Sequence, residues 1–410
     1  MARKYLAQGP GTKPRAFLII FFLLFNSLSW FFITRRIIYA ILNDLNVAYQ
    51  QNLLIWGIYD LAIIGASIAG SILSGRIKRL TFLYLWLLLG TITSALLSFF
   101  YLSLAYILSV SFLWGISFGI GMPLCLAFFT EYTAFENRGR TAGIVVFAAS
   151  ISTPLVVMLS TMNLTMSIIA STVWRGIGLI GLLLLKPKEQ VVPEKRRYTS
   201  FTSILHDKNF LLYLIPWLMF SLIFGFQRLV FEHFLAADFY DFLRIVESII
   251  GTISALIGGL VADWIGRKRV VIYGFISLGL AYAAVGIAPN SLISLYFFSI
   301  IDGIAWGIFL AIFVLVLWGD LSYSGAREKY YVIGSIPFFF ADFIGFLFTP
   351  FVAVPPSAAF SVASLFLFLA VLPLMYAPET LPEKKIRLRQ LRKYMAAAKK
   401  VKEKYTNKGR

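Results

Sequence analysis

The sequence predicts an all-α integral membrane protein of twelve transmembrane helices, arranged as two six-helix bundles related by an internal repeat. Three observations support this fold class: the composition, the distribution of basic residues and the repeat itself. Of the 410 residues, 59% are hydrophobic and 14% are charged, and the mean hydropathy is +0.82. Because soluble domains carry about 45–50% apolar and about 25% charged residues, this composition excludes an ordinary soluble protein.

Twelve apolar runs divide the chain, and each is long enough to form one transmembrane span. A helix needs roughly 20 apolar residues to cross the hydrocarbon core, where the helix itself must satisfy the backbone polar groups. We number the runs as spans 1 to 12: 16–42, 49–75, 80–100, 102–130, 141–163, 165–186, 209–235, 243–264, 270–289, 291–319, 329–353 and 357–377. The predicted domains are therefore an N-terminus (1–15), an N-terminal bundle (16–186), a linker (187–208), a C-terminal bundle (209–377) and a basic tail (378–410).

Basic residues are concentrated on one side of the predicted membrane. The chain has 37 Lys and Arg residues, and 32 of them fall in segments on the same side as both termini. Since cytoplasmic loops carry an excess of Lys and Arg, we expect a multi-pass protein of the cytoplasmic membrane with both termini in the cytoplasm. This placement accounts for the net charge of +18 and gives no reason to expect a nucleic-acid partner.

A shift of 188 or 189 residues relates the two halves of the chain. Glu131 and Arg138, which follow span 4, recur as Asp320 and Arg327 after span 10. In each half we expect the acid at the end of one helix to pair with the arginine that opens the next, across a short cytoplasmic loop. The alternative is a pair of unrelated salt bridges at an interface. Glycines recur at the same shift: Gly70 as Gly259, and Gly115 and Gly119 as Gly303 and Gly307. Such repeats are typical of transporter folds.

The segment 259–268, which reads GLVADWIGRK, resembles the loop motif G-x-x-x-D-R-x-G-R-[RK] of the major facilitator superfamily. Trp264 replaces a residue that is usually basic in the family, and the first-half copy has Ser74 in place of the aspartate. Pro378-Glu379-Thr380, after span 12, is also similar to the usual ending of the family. The resemblance implies two bundles that rock about a central site, with spans 1, 4, 7 and 10 lining the cavity.

Four residues of this motif, Gly259, Asp263, Gly266 and Arg267, have a predicted part in gating. Gly259 would let two helices approach closely, and Gly266 would permit a tight turn. Asp263 would hold arginines or a helix N-terminus in only one arrangement of the two halves. The alternative is a static salt bridge between Asp263 and Arg267.

Arginines inside the spans are candidates for substrate binding, because an ionisable group within a bilayer is costly and therefore usually functional. Arg35 and Arg36 lie in span 1, and Arg228 lies at a similar depth in span 7. Two guanidinium groups facing each other from opposite halves would bind an anion through paired, charge-assisted hydrogen bonds. Adjacent helical residues point about 100° apart, so we expect only one of Arg35 and Arg36 to face the cavity. The sequence leaves open which one does. Asn26 lies on the same side of the helix as Arg36 and would face the cavity with it.

A second, local resemblance concerns span 1. The run Trp30-Phe31-Phe32-Ile33-Thr34-Arg35-Arg36 resembles span 1 of the organophosphate:phosphate antiporter branch, and the anion:cation symporter branch has an arginine at a similar place. This resemblance implies that Arg35 and Arg228 bind a phosphoryl group and that Arg36 pairs with the acid of span 7. The alternative is that the arginines and acids of the spans only neutralise one another.

Coupling to an ion requires a group whose charge can change. Asp302 in span 10 is the first candidate, since it could exchange a proton on alternate sides of the membrane and could also contact the substrate. For Asp60 and Glu247 we favour a role as charge partners of the arginines. The further candidates for proton coupling or charge pairing are Asp60, Glu232, His233, Glu247 and Asp342.

These features predict a secondary active transporter that moves an organic anion, for which a phosphate ester is one possibility, by alternating access with exchange or proton coupling. One alternative is a proton-coupled symporter of a sugar or another neutral metabolite, and another is a transport-dead membrane sensor. The sequence contains no H-E-x-x-H or G-x-x-x-x-G-K-[ST] motif and only two histidines, so we expect no enzyme, metal site or cofactor. We expect a monomer whose basic tail contacts anionic headgroups.

Overall fold

The computed structural model describes residues 14–97, 103–162, 164–185, 200–322, 327–348 and 354–381. Within them the chain forms twelve long helical segments and no strand. They are α1 Pro14–Asp44, α2 Tyr49–Leu73, α3 Arg79–Leu97, α4 Leu104–Tyr132, α5 Arg138–Met162, α6 Leu164–Leu185, α7 Lys208–Phe234, α8 Ala237–Ile265, α9 Arg267–Ile287, α10 Leu292–Leu321, α11 Arg327–Phe348 and α12 Pro356–Tyr376. The predicted linker up to residue 199 and the tail from residue 382 lie outside the described residues, as does the lipid contact expected for the tail.

The twelve segments correspond one to one with the twelve predicted spans, so the predicted fold class is confirmed. Ten of them, all except α5 and α11, are long and apolar enough to cross a membrane in the described part of the chain. One boundary is wrong in the prediction: α8 begins at Ala237 and not at residue 243, so Asp238 and Asp241 are helical residues. The carboxylate of Asp238 lies in the first turn, where it interacts favourably with the helix dipole.

The two bundles contact each other mainly through two helix pairs. Helix α5 packs on α8, and α2 packs on α11. The repeat exchanges these pairs, since α2 corresponds to α8 and α5 to α11, so the interface has approximate two-fold symmetry. The connections α2–α3, α4–α5, α8–α9 and α10–α11 all lie at one end of the helices, which we call the basic end.

The repeated glycines have equivalent packing roles within each bundle. Gly115 and Gly119 of α4 lie against the backbone of α2, and Gly303 and Gly307 of α10 lie against the backbone of α8. A Cβ atom at any of these positions would overlap the facing helix, because helices in a membrane approach closely only where small residues face each other.

The turn between α8 and α9 is as tight as the sequence predicts. Gly266 has φ = +108°, a conformation that residues with a Cβ atom rarely adopt. The next two backbone N–H groups, of Arg267 and Lys268, donate to the carboxylate of Glu379 at 2.9 and 3.2 Å. Glu379 therefore caps the N-terminus of α9 from beyond α12, which is a structural role for the family-like ending of the last span.

Candidate functional site

A cavity of about 380 Å³ lies between the two bundles. Its wall comes from α1 and α5 of the first bundle and from α7, α8, α10 and α11 of the second. The lining residues lie in the middle of these helices and in the half away from the basic end. Helix α10 is π-helical over Leu310–Leu317, directly beside the cavity, and π-helical turns occur frequently at functional sites.

Arg35 of α1 and Arg228 of α7 both line this cavity. The Nη1 of Arg35 donates to Oδ1 of Asp60 at 3.1 Å, and its guanidinium lies 4.7 Å from the ring centroid of Trp56. The Nε of Arg228 donates to Oε1 of Glu232 at 2.9 Å. Each arginine is thus paired with an acid of its own bundle, and the two arginine side chains reach the cavity from opposite sides.

Arg36 does not line the cavity; its guanidinium lies over the ring of Tyr39, 5.2 Å from the centroid. The pairing of Arg36 with the acid of span 7, implied by the local resemblance, is wrong for the described residues. Glu232 pairs instead with Arg228, because residues four apart on one helix share a face.

A third arginine, Arg244 of α8, also lines the cavity. It stands at the outer end of span 8, and neither the repeat nor a motif marks it in the sequence. Its guanidinium lies 5.8 Å from the ring centroid of Tyr240. Among the described residues no carboxylate lies within ion-pair distance of Arg244, so it differs from Arg35 and Arg228.

Two carboxyl groups adjoin each other beside Arg244. Glu247 of α8 lines the cavity, and its carboxyl group interacts electrostatically with Asp302 and with Arg244. Asp302 of α10 is fully buried behind Glu247 and does not itself line the cavity. The phenol of Tyr282 from α9 donates to Oε1 of Gln227 and interacts electrostatically with both carboxyl groups.

Other predicted site residues lie away from the cavity. Asn26 is fully buried between α1 and α6, where its amide donates to the carbonyl oxygen of Trp174 at 2.7 Å and its Oδ1 accepts from Arg175 at 3.3 Å. His233 is exposed at the end of α7. Asp342 belongs to α11, but its side chain lies outside the described residues.

At the basic end, the two acid–arginine repeats exchange partners. Arg138 of the first bundle donates to Asp320 of the second, and Arg327 of the second bundle lies 3.2 Å from Glu131 of the first. The predicted pairing across a single loop is therefore wrong. The two loops meet across the interface between the bundles, and each acid faces the arginine of the other half.

Asp263 also crosses this interface. Its carboxylate accepts hydrogen bonds from the backbone N–H groups of Gly139 and Arg140 at 3.0 and 2.7 Å, and so caps the N-terminus of α5 in the other bundle. Arg267 lies 3.7 Å from Asp263 and pairs with the carboxylate of Asp320. Gly259 packs against the backbone of Gly139, which brings α5 and α8 close enough for these contacts.

The first-half copy of the motif makes a different contact. The hydroxyl of Ser74, at the position of the lost aspartate, donates to the carbonyl oxygen of Ser71 at 3.2 Å. Arg79 instead bridges the bundles, with Nη1 2.9 Å from Glu131 and Nη2 2.8 Å from Glu328 of α11. On one side of the two-fold axis, the contact across the interface is thus made by the acid Asp263. On the other side it is made by the arginine Arg79. No cluster of His, Cys, Asp or Glu able to hold a metal is found in the described part of the chain.

The whole arrangement is similar to two solved structures. One is the human organic anion transporter MFSD10 (TETRAN), with a TM-score of 0.66 and 15% identity over 90% of this chain and 100% of that chain. The other is the major facilitator superfamily proton:xylose symporter XylE bound to 6-bromo-6-deoxy-D-glucose, with a TM-score of 0.65 and 15% identity over 89% of this chain and 96% of that chain. No protein-family model and no curated protein sequence matches the chain. Two repeated bundles, the interface of α5 with α8 and α2 with α11, and these similarities together show that the chain has the fold of the major facilitator superfamily.

Proposed function

We propose that this protein is a secondary active transporter that carries an organic anion across the cytoplasmic membrane by alternating access. The observation that carries the proposal is the convergence of Arg35, Arg228 and Arg244 on one cavity between the bundles. An anion bound there would contact both halves of the molecule, as a substrate must if its binding is to be linked to the movement of one half against the other.

The charge balance of the wall favours an anion over a neutral solute. Arg35 is paired with Asp60 and Arg228 with Glu232, whereas Arg244 only interacts electrostatically with Glu247 of the same helix, so its guanidinium is the part of the site with the least compensation. Guanidinium groups bind carboxylates and phosphates in a planar, bidentate geometry. A sugar would not require three of them. One similar structure is named for organic anions and the other for xylose, so the comparisons do not distinguish an anion from a sugar. The three arginines support the anion.

The contacts at the basic end suggest which state the structure represents. If that end faces the cytoplasm, the paired loops close the cytoplasmic side and the cavity lies toward the outside. Breaking the contacts of Asp263 and Asp320 would let the bundles separate there and close on the opposite side. These contacts would then act as a latch and not as a static salt bridge.

Proton coupling is supported by the adjoining carboxyl groups of Glu247 and Asp302. When Glu247 is ionised it can pair with Arg244 and compete with the anion, and when it carries a proton Arg244 is available. Anion and proton would then each favour the binding of the other, since linkage is reciprocal. The charged and titratable groups around Glu247 are Asp302 of α10, Arg244 and Tyr240 of α8 and Tyr282 of α9.

A thermal-shift screen of the purified protein tests the proposal. Phosphate esters, aromatic and aliphatic carboxylates and sugars are added to the wild type and to the Arg228→Lys and Arg244→Gln variants. A ligand at 100 times its Kd stabilises the folded state by about 2.7 kcal/mol. We expect anions to raise the melting temperature of the wild type and to have a weaker effect on both variants. His233→Gln, an exposed change outside the cavity, should respond as the wild type does. Stabilisation by sugars alone, or equal effects of anions on all proteins, would contradict the proposal.

A further inference from the structure

We propose that the anion carried at this site has a flat aromatic body, as an aryl carboxylate does, and not the polyhydroxyl body of a sugar phosphate. This inference rests on the proposed anion transport and adds the chemical class of the rest of the substrate. It is drawn from the way in which apolar and cationic side chains are separated within the cavity.

Four aromatic rings form the side of the cavity that faces the basic end. They are Phe32 of α1, Phe224 of α7, Trp306 of α10 and Phe338 of α11, and we call them the aromatic floor. The ring centroids of Phe224 and Trp306 are 4.4 Å apart with planes at 74°, and those of Trp306 and Phe338 are 6.1 Å apart at 76°. These edge-to-face contacts fix the rings in place, so the floor is a preformed surface.

The arginines lie one helical turn above this floor. Arg35 follows Phe32 by three residues on α1, and Arg228 follows Phe224 by four residues on α7. Residues three and four apart lie on the same face of a helix. In both bundles, therefore, a ring and a guanidinium face the cavity together, with the ring nearer the basic end. A ligand that satisfies both has an anionic group at one end and an apolar, π-rich body at the other.

The floor also carries a hydrogen-bond donor without a partner. The indole Nε1–H of Trp306 is buried and makes no hydrogen bond within the described residues, and 8% of the residue is exposed. Leaving a buried donor unpaired costs about 1–3 kcal/mol. If the indole turns slightly toward the cavity, a body with one acceptor atom at its rim would relieve this cost, which an unsubstituted hydrocarbon would not.

A sugar phosphate would be poorly satisfied on this floor. The hydroxyl of Ser221 is a second group that makes no hydrogen bond within the described residues, but Thr252 donates its hydroxyl to its own helix, to the carbonyl oxygen of Ser248 at 2.8 Å. Hydroxyls of a sugar placed on the floor would meet mostly ring faces, and each buried hydroxyl left unpaired costs free energy. The polar lining residues Ser150, Gln227 and Ser248 lie outside the floor. A cavity of about 380 Å³ is within the range of small-molecule sites, about 300–1,000 Å³.

Binding of a matched series of probes tests the inference. The Kd values of acetate, 2-naphthoate, 2-naphthalenemethanol and glucose 6-phosphate are measured by calorimetry with the purified full-length protein. We expect 2-naphthoate to bind at least about tenfold more tightly than acetate and glucose 6-phosphate, which is about 1.4 kcal/mol. Trp306→Leu and Phe224→Leu should each remove most of this advantage, because they should weaken 2-naphthoate more than acetate. Trp264→Leu, an exposed tryptophan change near the basic end, is the control and should behave as the wild type.

The donor role has its own variant. Trp306→Phe keeps a ring but removes the N–H, so it should weaken a quinoline carboxylate, whose ring nitrogen accepts a hydrogen bond, several-fold more than it weakens 2-naphthoate. Glucose 6-phosphate binding as tightly as 2-naphthoate, or unchanged 2-naphthoate affinity in both leucine variants, would overturn the inference while leaving anion transport intact. If neutral 2-naphthalenemethanol binds as tightly as 2-naphthoate and Arg244→Gln changes neither, the proposed anion function itself fails.

Discussion

Arg138 in the first bundle donates to Asp320 in the second, although in the sequence each belongs to a different copy of the same acid–arginine repeat. The carboxylate of Asp320 is fully buried and also pairs with Arg267. One acid thus holds two arginines, one from the opening turn of α5 and one from that of α9. We therefore expect closure of the basic end to depend strongly on Asp320.

Asp320→Asn should open the basic end. Removing one partner of a buried ion pair leaves the others uncompensated and typically costs about 3–5 kcal/mol. We expect the variant to shift toward the state that is open at the basic end and to lose most transport. Ser150, which lines the cavity, is replaced by cysteine in a Cys125→Ala background. Its labelling by an impermeant thiol reagent is then measured from each side of the membrane.

The expected result is faster labelling from the basic side and slower labelling from the other side than in the Ser150→Cys parent. Asp238→Asn, which removes an exposed carboxylate at the opposite end, is the control and should label as the parent does. Unchanged labelling of the Asp320→Asn variant from both sides would show that this carboxylate does not hold the bundles together.

Gly259→Ala should also impair closure, through packing and not charge. A Cβ atom at this position would overlap the carbonyl of Gly139 in the other bundle, and overpacking costs about 1–3 kcal/mol. Gly65→Ala is the matched control, since nothing lies within 4 Å of a Cβ atom there and alanine favours a helix by up to about 1 kcal/mol. We expect transport in proteoliposomes to fall severalfold in the first variant and to persist in the second. Equal activity of the two variants would argue against a close approach of α5 and α8 during transport.

The sequence is sufficient to predict the twelve helices, the two bundles and the equivalence of positions such as Gly115 and Gly303. These features follow from hydropathy and from a repeat, both of which are properties of the chain alone. The partner of Arg138 could not be predicted in this way. A repeat shows that two loops are equivalent but not that they touch, and an acid seven residues away in the same loop is indistinguishable from one in the other half.

The cavity is only partly predictable, for a similar reason. Arg35 and Arg36 are neighbours, and which of them faces inward depends on the rotation of α1 against the other helices. Arg244 has no counterpart in the first half, so neither repeat nor motif identifies it. Asn26 shares a face of α1 with Arg36, but that region packs on α6, where Arg175 and not the cavity is its neighbour.

Glu247→Gln should make anion binding independent of pH. In the wild type, deprotonation of Glu247 at higher pH would allow it to compete for Arg244, so anion affinity should fall as pH rises. Couplings of this kind amount to about fivefold or more. The affinity for a stabilising anion is measured between pH 6 and about pH 8 by calorimetry. Glu232→Gln, which removes the partner of Arg228 but not the group beside Arg244, should keep the pH dependence. The same slope in Glu247→Gln as in the wild type would exclude Glu247 as the coupled group.

Arg175 is expected to be structural, and its substitutions should show an unusual order. The residue is fully buried between the rings of Trp30 and Trp86, at 4.7 and 4.5 Å from the ring centroids, and donates to Ser27 at 2.9 Å. No carboxylate pairs with it in the described part of the chain. Replacing a buried charge by an apolar side chain of similar volume is often neutral or stabilising, so Arg175→Met should keep or raise the melting temperature.

Arg175→Lys should lower the stability more than Arg175→Met. An ammonium group is strongly hydrated and is not planar, so it cannot stack between two indole rings as a guanidinium does. We expect its melting temperature to lie below that of Arg175→Met by the equivalent of about 1–3 kcal/mol. The comparison is made on detergent-purified proteins, together with transport. A loss of transport in Arg175→Met with normal stability would instead assign the arginine a functional role.

The central claim is that the two bundles move against each other about one cavity, and electron-paramagnetic-resonance distance measurements test it most directly. Spin labels are attached in the Cys125→Ala background at exposed positions, Arg76 with Arg269 at the basic end and Asn43 with Asp238 at the opposite end. Distances are recorded with and without the anion that stabilises the protein most, and also in the Asp320→Asn variant. The account predicts that the two distances change in opposite directions, with the basic-end distance lengthening as the other shortens. Distances that stay single and unchanged at both ends, or that lengthen together, would contradict it.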